Sequence, residues 1–462
     1  MKISFENVGA IRQAELELGD LTIVCGKNNT GKTYVTYATF GFLDYWHSSL
    51  KISIPSEIVT QVMEKGSISV PIRDFAKNAP EILEEASKQF SKNIDKVFAG
   101  NESIFESSIV KVHAERSKNC HTNKVNFQAG SANKAFLEVT STEEDENLTI
   151  SLLVDKSSED LPPRSFIESM ISAAIRDLVF KDKMPRPFIA SAERTGSAIF
   201  QKELDFTRSR LVDMIGEKDS SFSFTSLLGG FKAEYPTPVK KNVDFIRGLS
   251  NIKNKEGLFS KQHPEVLEHF KSIIGGEYKV SKDDEIQFIP NNKKSLKLSL
   301  VESSSAVRSL LDIGFYLRHI AQAGDIVIVD EPELNLHPHN QRKVARLFAM
   351  LVNYGIKVFI TTHSDYIIRE INTLIQFSQK DPRINEIAKR EGYGENESIK
   401  SEKIKVYIAK EASIKLPNRV RKTKCNTLVS APIDEKRGIE IETFDNTIEE
   451  LNRIQDEIIW GE

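Results

Sequence analysis

The plainest chemistry in this chain lies in eight consecutive residues, Gly26-Lys27-Asn28-Asn29-Thr30-Gly31-Lys32-Thr33. They fit G-x-x-x-x-G-K-[ST], the pattern of a loop that cradles a row of phosphates. The glycines let the backbone turn so that successive N–H groups face one anion, and the helix that follows adds the positive end of its dipole. Lys32 is expected to reach the β- and γ-phosphates, and the Thr33 hydroxyl to ligate Mg²⁺. A second group follows the apolar run Ile326 to Val329 in "GDIVIVDEPELNLHP". Carboxylates at the end of such a strand stand where α/β sheets place ligands. Asp330 is expected to hold Mg²⁺ through water, and Glu331 to act as the base or to orient the attacking water. The stretch "GIKVFITTHSDYIIREIN" repeats the form, with His363 after the apolar strand Lys357 to Ile360 and within reach of a terminal phosphate.

These groups need strands and helices to hold them. Leu21 to Cys25 reads as a strand, Gly26 to Gly31 as a breaker-rich turn, and Lys32 onward as a helix. The four β-branched residues before Asp330 suit a strand buried on both faces of a parallel sheet. "MKISFENVGAIRQAELELGDLTIVCG" alternates like two or three short strands. From about Ser48 to Lys111 the pattern is polar and helical. Residues 136–154 read as a hairpin turning at Glu143 to Asn147, and a helix is expected over Pro163 to Val179, before the strand "RPFIASAERTG". Helical stretches broken by "KDSSFSFTSLLGG" fill Ser197 to Ile274, and short strands occupy Glu277 to Leu300. The division this suggests is a phosphate-loop lobe at 1–45, an insertion at 46–184, a second core segment at 185–375 and a C-terminal extension at 376–462.

With 462 residues and a formal net charge of −3, the chain is long enough for two or three units and has no whole-chain nucleic-acid signature. Its three cysteines, Cys25, Cys120 and Cys425, form no C-x-x-C pair, which argues against a zinc site or a disulfide framework. Glu6, Arg12, Glu15 and Glu17 interrupt any leader-like opening, and no run approaches 18 apolar residues. A soluble, cytoplasmic protein with no membrane partner is expected.

Upstream of Asp330 lies "LVESSSAVRSLLDIGFYLRHI". Serine at a helix start is an ordinary N-cap, and Val307, Leu310, Leu311, Gly314, Phe315 and Leu317 form an inward face. Taken in order, the phosphate loop, this serine-rich helix start, "VIVDEPELNLHP" and "TTHS" resemble the ABC-type ATPase heads of the SMC-like class. More narrowly they resemble the bacterial ATPases of the overcoming-lysogenization-defect (OLD) superfamily. The resemblance covers about 1–45 and 185–375. It implies an α/β P-loop ATPase head with a mixed sheet, helical insertions and a small C-terminal α+β extension, using ATP and Mg²⁺. It also implies a homo-oligomer in which two heads sandwich ATP. On that reading Ser303, Ser304 and Ser305, with Arg308 behind them, form the signature that caps the partner's nucleotide. Pro332 to Pro338 lies at the seam, and His363 is the switch histidine. The glycines of an LSGGQ-type signature are absent, so slow turnover is expected. "SAERTG" is similar to a polar strand-end segment near the nucleotide, which leaves Glu193 and Arg194 open between a nucleotide or interface role and a structural ion pair.

Nucleases of the OLD superfamily carry a Toprim domain with an acidic D-x-D pair, and residues 376–462 contain none. Any nuclease is therefore expected in trans. The chain resembles the ATPase subunit of the PARIS anti-phage system, paired with a separate Toprim effector and answering a phage-derived trigger. The Septu ATPase with its HNH nuclease, and a DNA-repair or recombination ATPase of SMC-like type, are the alternatives. The ending "RGIEIETFDNTIEELNRIQDEIIWG" reads as a strand at Ile439 to Glu442 and an amphipathic helix at Asn446 to Ile459, packed on its own domain or docking a partner. Arg419, Arg421, Lys422 and Lys424 read as a solvated face, with contact to nucleic acid or an acidic protein as the alternative.

Overall fold

A computed structural model describes residues 1–115, 125–131, 134–141, 147–153, 163–180, 183–199, 235–282, 285–379, 381–416, 421–440 and 442–460. The expected loop "KDSSFSFTSLLGG", most of the turn at Glu143 to Asn147, Cys120 and Arg419 lie outside them. The chain divides into two units. One comprises Met1–Ser4, Phe42–Asn93 and Ile109–Arg186, and the other Phe5–Gly41, Ile94–Ser108 and Pro187–Glu462.

The second unit is built on a six-stranded mixed sheet. In chain order its elements are β1 (Leu21–Cys25), α1 (Lys32–Ser48), β2 (Pro187–Ala190), α2 (Arg194–Ile199), α3 (Ser305–Ser309), α4 (Leu311–His319), β3 (Ile326–Asp330), α5 (Pro338–Asn353), β4 (Lys357–Thr362), α6 (Asp365–Gln376), β5 (Ile404–Ile414) and β6 (Thr423–Ser430). The strands lie in the order β6-β5-β1-β4-β3-β2. β5, β1, β4, β3 and β2 run parallel, and β6 is antiparallel to β5. Every residue of β1 and β3 is buried, as expected of parallel strands covered on both faces. α6 shows why its sequence is helical. The Ser364 hydroxyl accepts from the Ile367 N–H at 3.3 Å as an N-cap, and Ile367, Ile371 and Ile375 repeat every four residues on one buried face.

The helix expected downstream of Ser303 is two helices, with Leu310 between them at φ −107° and ψ 6°. The cause is a side chain in the hydrogen-bond ladder: the Ser309 carbonyl accepts from Arg194 Nε at 2.7 Å. The face named from the sequence is buried in full, from Val307 to Leu317. The C-terminal region also departs from the reading of an appended extension. β5 and β6 fall within 376–462, yet they extend the central sheet, with Ile408 opposite Cys25 of β1. The strand expected at Ile439 to Glu442 is only Gly438–Ile439, paired with Ile433–Asp434. A terminal helix, α7, spans Glu442–Trp460.

The first unit is not purely helical over 48–111. Gly66, at φ 83°, ends the helix Ser56–Lys65, and "SISVP" then alternates with period two as a strand. That strand edges a four-stranded antiparallel sheet, Ser67–Pro71, Asn147–Leu152, Lys134–Ser141 and Val125–Ser131 in spatial order. The helix read at Pro163 to Val179 is Arg164–Phe180, and Phe180 meets Trp46 edge to face at 5.0 Å.

Candidate nucleotide site

The C-terminal ends of four neighbouring parallel strands bring the sequence-selected groups together. The loop 26–31 leaves β1, and Asp330 and Glu331 end β3. His363 follows β4, and Glu193 and Arg194 follow β2. Residue for residue, Asp330 lies opposite Thr361, and Thr362 opposite Cys25.

The loop is held by close backbone approach. Gly26 has φ 142°, and a Cβ there would stand 2.3 Å from the Ala409 carbonyl oxygen of β5. Gly31, at φ 103°, has the Ile11 side chain where a Cβ would go. Asn29 is left-handed at φ 63°, and the Thr30 hydroxyl donates to the Lys27 carbonyl at 2.8 Å. Lys32 folds back across the loop, its Nζ donating to the Gly26 and Lys27 carbonyls at 3.0 Å each. Lys27, Asn28, Asn29 and Thr33 are exposed, so the outer surface of the loop faces solvent. Beneath it, burial pushes the Cys25 thiol up to about 12, which keeps it a neutral donor to the Tyr407 carbonyl.

Asp330 is 1% exposed. One carboxylate oxygen accepts from the Thr361 hydroxyl, and the other has no partner among the described residues. Burial, only partly offset by that hydrogen bond, pushes its carboxyl up to about 6. A buried carboxylate oxygen without a partner, at a strand end beside a phosphate loop, fits a group that holds a cation. Glu331 is left-handed at φ 51°, a conformation rare outside glycine. Its backbone is gripped on both sides. The N–H is shared between the Thr361 carbonyl at 3.2 Å and hydroxyl at 3.1 Å, and the carbonyl accepts from Arg194 Nη2 at 2.9 Å. The His363 ring nitrogen Nδ1 lies 3.6 Å from Glu331 Oε1 and 3.8 Å from Glu333 Oε1.

Glu333 was not singled out from the sequence. Its Oε1 accepts from the Thr362 hydroxyl at 2.9 Å and from the His363 N–H at 2.8 Å, so it fixes the backbone that carries His363. The signal available was the second glutamate in "DEPE", with Thr362 on the adjoining strand as its partner. Glu193 and Arg194 separate in role. Glu193 is exposed and accepts from the Tyr37 hydroxyl of α1 at 2.8 Å, and burial holds that phenol well above its ordinary range as a neutral donor. Arg194 is 1% exposed, and its guanidinium donates to backbone carbonyls rather than facing solvent.

Ser303, Ser304 and Ser305 are tied into their own loop. Ser303 Oγ donates to the Ser299 carbonyl at 2.7 Å, and Ser304 Oγ caps α3 by accepting from the Val307 N–H at 3.3 Å. Arg308 closes the turn by donating to the Ser303 carbonyl. Ser304 and Ser305 are exposed, and no hydrogen bond among the described residues joins the three serines to the phosphate loop of the same chain. In chemical terms, the site offers backbone N–H groups and an ammonium for phosphates, a buried carboxylate for a cation, and a glutamate beside a histidine for water.

A protein-family model, AAA_15, described as an AAA ATPase domain, matches residues 1–368. The chain belongs to this ATPase family. No curated protein matches it. Among solved structures, the SMC head bound to the C-winged helix domain of ScpA is 11% identical over 93% of this chain and 97% of its own, at a TM-score of 0.33. The SMC head with an extended coiled coil bound to the C-terminal domain of ScpA, from Pyrococcus furiosus, is 11% identical over 98% of each chain, at 0.31. The SMC head domain from Thermotoga maritima is 10% identical over 94% and 98%, at 0.28. Family membership and the mixed α/β sheet make this AAA_15 chain a P-loop ATPase domain. Among the described residues no helix is long and apolar enough to cross a membrane.

Proposed function

We propose that this AAA_15 chain binds ATP with Mg²⁺, hydrolyses it slowly, and pairs with a second copy as an ABC-type head whose state controls a separate nuclease effector in anti-phage defence. The observation that carries the catalytic half is the unpartnered, buried Asp330 oxygen at the end of β3, beside Glu331 and His363 and level with the phosphate loop. Lys32 leaves its loop carbonyls for the β- and γ-phosphates, and the N–H groups of 27–33 turn toward the same anion. Thr33 and Asp330 would hold Mg²⁺, which when bound neutralises charge that develops on the phosphates. Glu331 takes the proton of the attacking water, and His363, on the backbone fixed by Glu333, orients that water or the terminal phosphate. Ser304 and Ser305 stand exposed at the start of α3, where a second head's nucleotide would meet them, with Ser303 buried behind them. The missing glycines of this segment favour slow turnover.

The regulatory half rests on what the chain exposes. α7 carries Leu451 at 55%, Ile454 at 39% and Ile458 at 77% exposure, spaced three and four residues apart as one apolar face suited to a protein partner. In the PARIS-like reading the damaging chemistry belongs to that partner, a Toprim nuclease. ATP between two heads adds contacts in the closed form alone, so it biases that form by its differential affinity. The test is expression of the chain alone and with its neighbouring gene, under phage challenge. Protection should need both, and should vanish with Lys32→Ala. Full protection by this chain alone overturns the regulatory reading, and an HNH partner replaces the Toprim one with the Septu-like form.

A further inference from the structure

The buried guanidinium of Arg194 links the end of α3 to the backbone of Asp330 and Glu331, beside a longer contact from the Ser309 hydroxyl to the Leu334 carbonyl at 3.4 Å. Nε donates to the Ser309 carbonyl at 2.7 Å, at the end of α3. Nη1 donates to the Ser191 carbonyl at 2.8 Å and the Asp330 carbonyl at 2.6 Å, and Nη2 to the Glu331 carbonyl at 2.9 Å. All of these acceptors are backbone, from three elements. Asp312 of α4, 1% exposed with both carboxylate oxygens unpartnered among the described residues, acts on that charge more than any other acid, and burial keeps it protonated up to about pH 7. This is more than a capped strand end. The Ser309 carbonyl is withdrawn from the helix ladder to meet Arg194, which is what divides α3 from α4. Glu331 sits in a left-handed conformation, and its carbonyl accepts from Arg194 Nη2 at 2.9 Å and from the Leu334 N–H at 3.2 Å.

We propose that Arg194 is a positioning residue that couples the serine-rich helix start to the Glu331 carboxylate. A displacement of α3 by an approaching second head pulls on the guanidinium and through it on the Glu331 backbone. Nucleotide at Asp330 and Glu331 shifts α3 by the same route, because coupling between two sites is reciprocal. The planar fork is required for this, since it addresses three elements at fixed angles, which a lysine ammonium does not. The inference deepens the reading of the site as one that hydrolyses ATP, and rests on it.

The test is Arg194→Lys, which keeps the charge facing Asp312 and loses the fork. Turnover and ATP affinity are measured together with amide hydrogen exchange of segments 305–311 and 326–334, with and without a non-hydrolysable ATP analogue. In the parent chain the analogue should slow exchange in both segments. In the variant it should slow 326–334 only, with kcat down about 100-fold and ATP affinity within about threefold, the size expected when a reacting group is misplaced by about 1 Å. The same response of both segments in the variant, or equal losses of kcat, affinity and thermal stability, would overturn the proposal. A parent with no response and no turnover instead sinks the nucleotide reading itself. If the lysine variant fails to fold, the double variant Arg194→Gln/Asp312→Asn, which removes the buried guanidinium together with the carboxyl that faces it, is read by the same criteria.

Discussion

Replacing Asp312 by asparagine should change how the stability of this protein depends on pH, and the structure sets the size. Asp312 is buried, none of its carboxylate oxygens has a hydrogen-bond partner among the described residues, and the ionisable groups acting on it are Arg194 and Tyr278. Desolvation wins over the Arg194 charge and pushes the carboxyl from 3.8 to about 7. The folded form therefore keeps a proton that the unfolded chain releases. Stability from this group is fully present below pH 3.8, falls as pH rises, and is lost once pH passes about 7. Between pH 5 and 8 the folded state should lose about 3 kcal/mol at this one group. Asparagine does not titrate, and every other group cancels in the comparison of variant with parent. Calorimetric melts of both at pH 5, 6, 7 and 8 should show the variant's Tm gaining on the parent's by about 6 °C across the range, at ~2 °C per kcal/mol for a unit of this size. A difference that stays flat with pH would mean Asp312 is ionised throughout, and the desolvation argument would fail.

Three further outcomes follow from the site. Lys32→Ala removes the ammonium aimed at the phosphates and should weaken ATP binding 10- to 100-fold or roughly so, read by calorimetric titration, while the melting profile keeps its shape. Unchanged affinity would remove the lysine from the site. Glu331→Gln should leave ATP binding intact and cut hydrolysis about 10²- to 10⁴-fold in a single-turnover assay, with parental turnover assigning the base elsewhere. Gly26→Ala places a methyl 2.3 Å from the Ala409 carbonyl at a φ of 142°, so both Tm and ATP affinity should drop, by about 1–3 kcal/mol in stability. Normal stability of that variant would show that β5 yields to the loop.

What the sequence made legible was whatever is encoded in contiguous residues. The phosphate loop could be read because its glycines, lysine and threonine act within eight positions, and β3 because a strand buried on both faces must be apolar throughout. The helical break at Leu310 could not, because its cause is a side chain 115 positions away. Glu333 was missed for the same reason: its partners, Thr362 and His363, lie on another strand. β5 was hidden by its chemistry. "IKVYIAKEASI" is buried in its first half and half-exposed in its second, so it reads as an ordinary two-faced strand with nothing to say which sheet it joins. Arg194 could be placed near the site by its strand-end position, but composition says nothing about whether an arginine is solvated or enclosed by carbonyls.

The neighbours of β1 on both sides come from late in the chain, β4 from 357–362 and β5 from 404–414, and the Cys25 thiol meets a carbonyl 382 positions further on. During synthesis at ~5–20 residues per second, the phosphate loop would wait about 20–75 s after leaving the ribosome before the backbone that shapes it exists. Until β4 is made β1 is an apolar strand with two open edges, and until β5 is made it keeps one, the kind of segment chaperones hold. The nucleotide loop of this protein is made long before β5, the strand that walls it, so ATP meets a finished loop only after that strand has been made. A ribosome that stalls before residue 404 releases a product with the whole motif and one wall of its site missing.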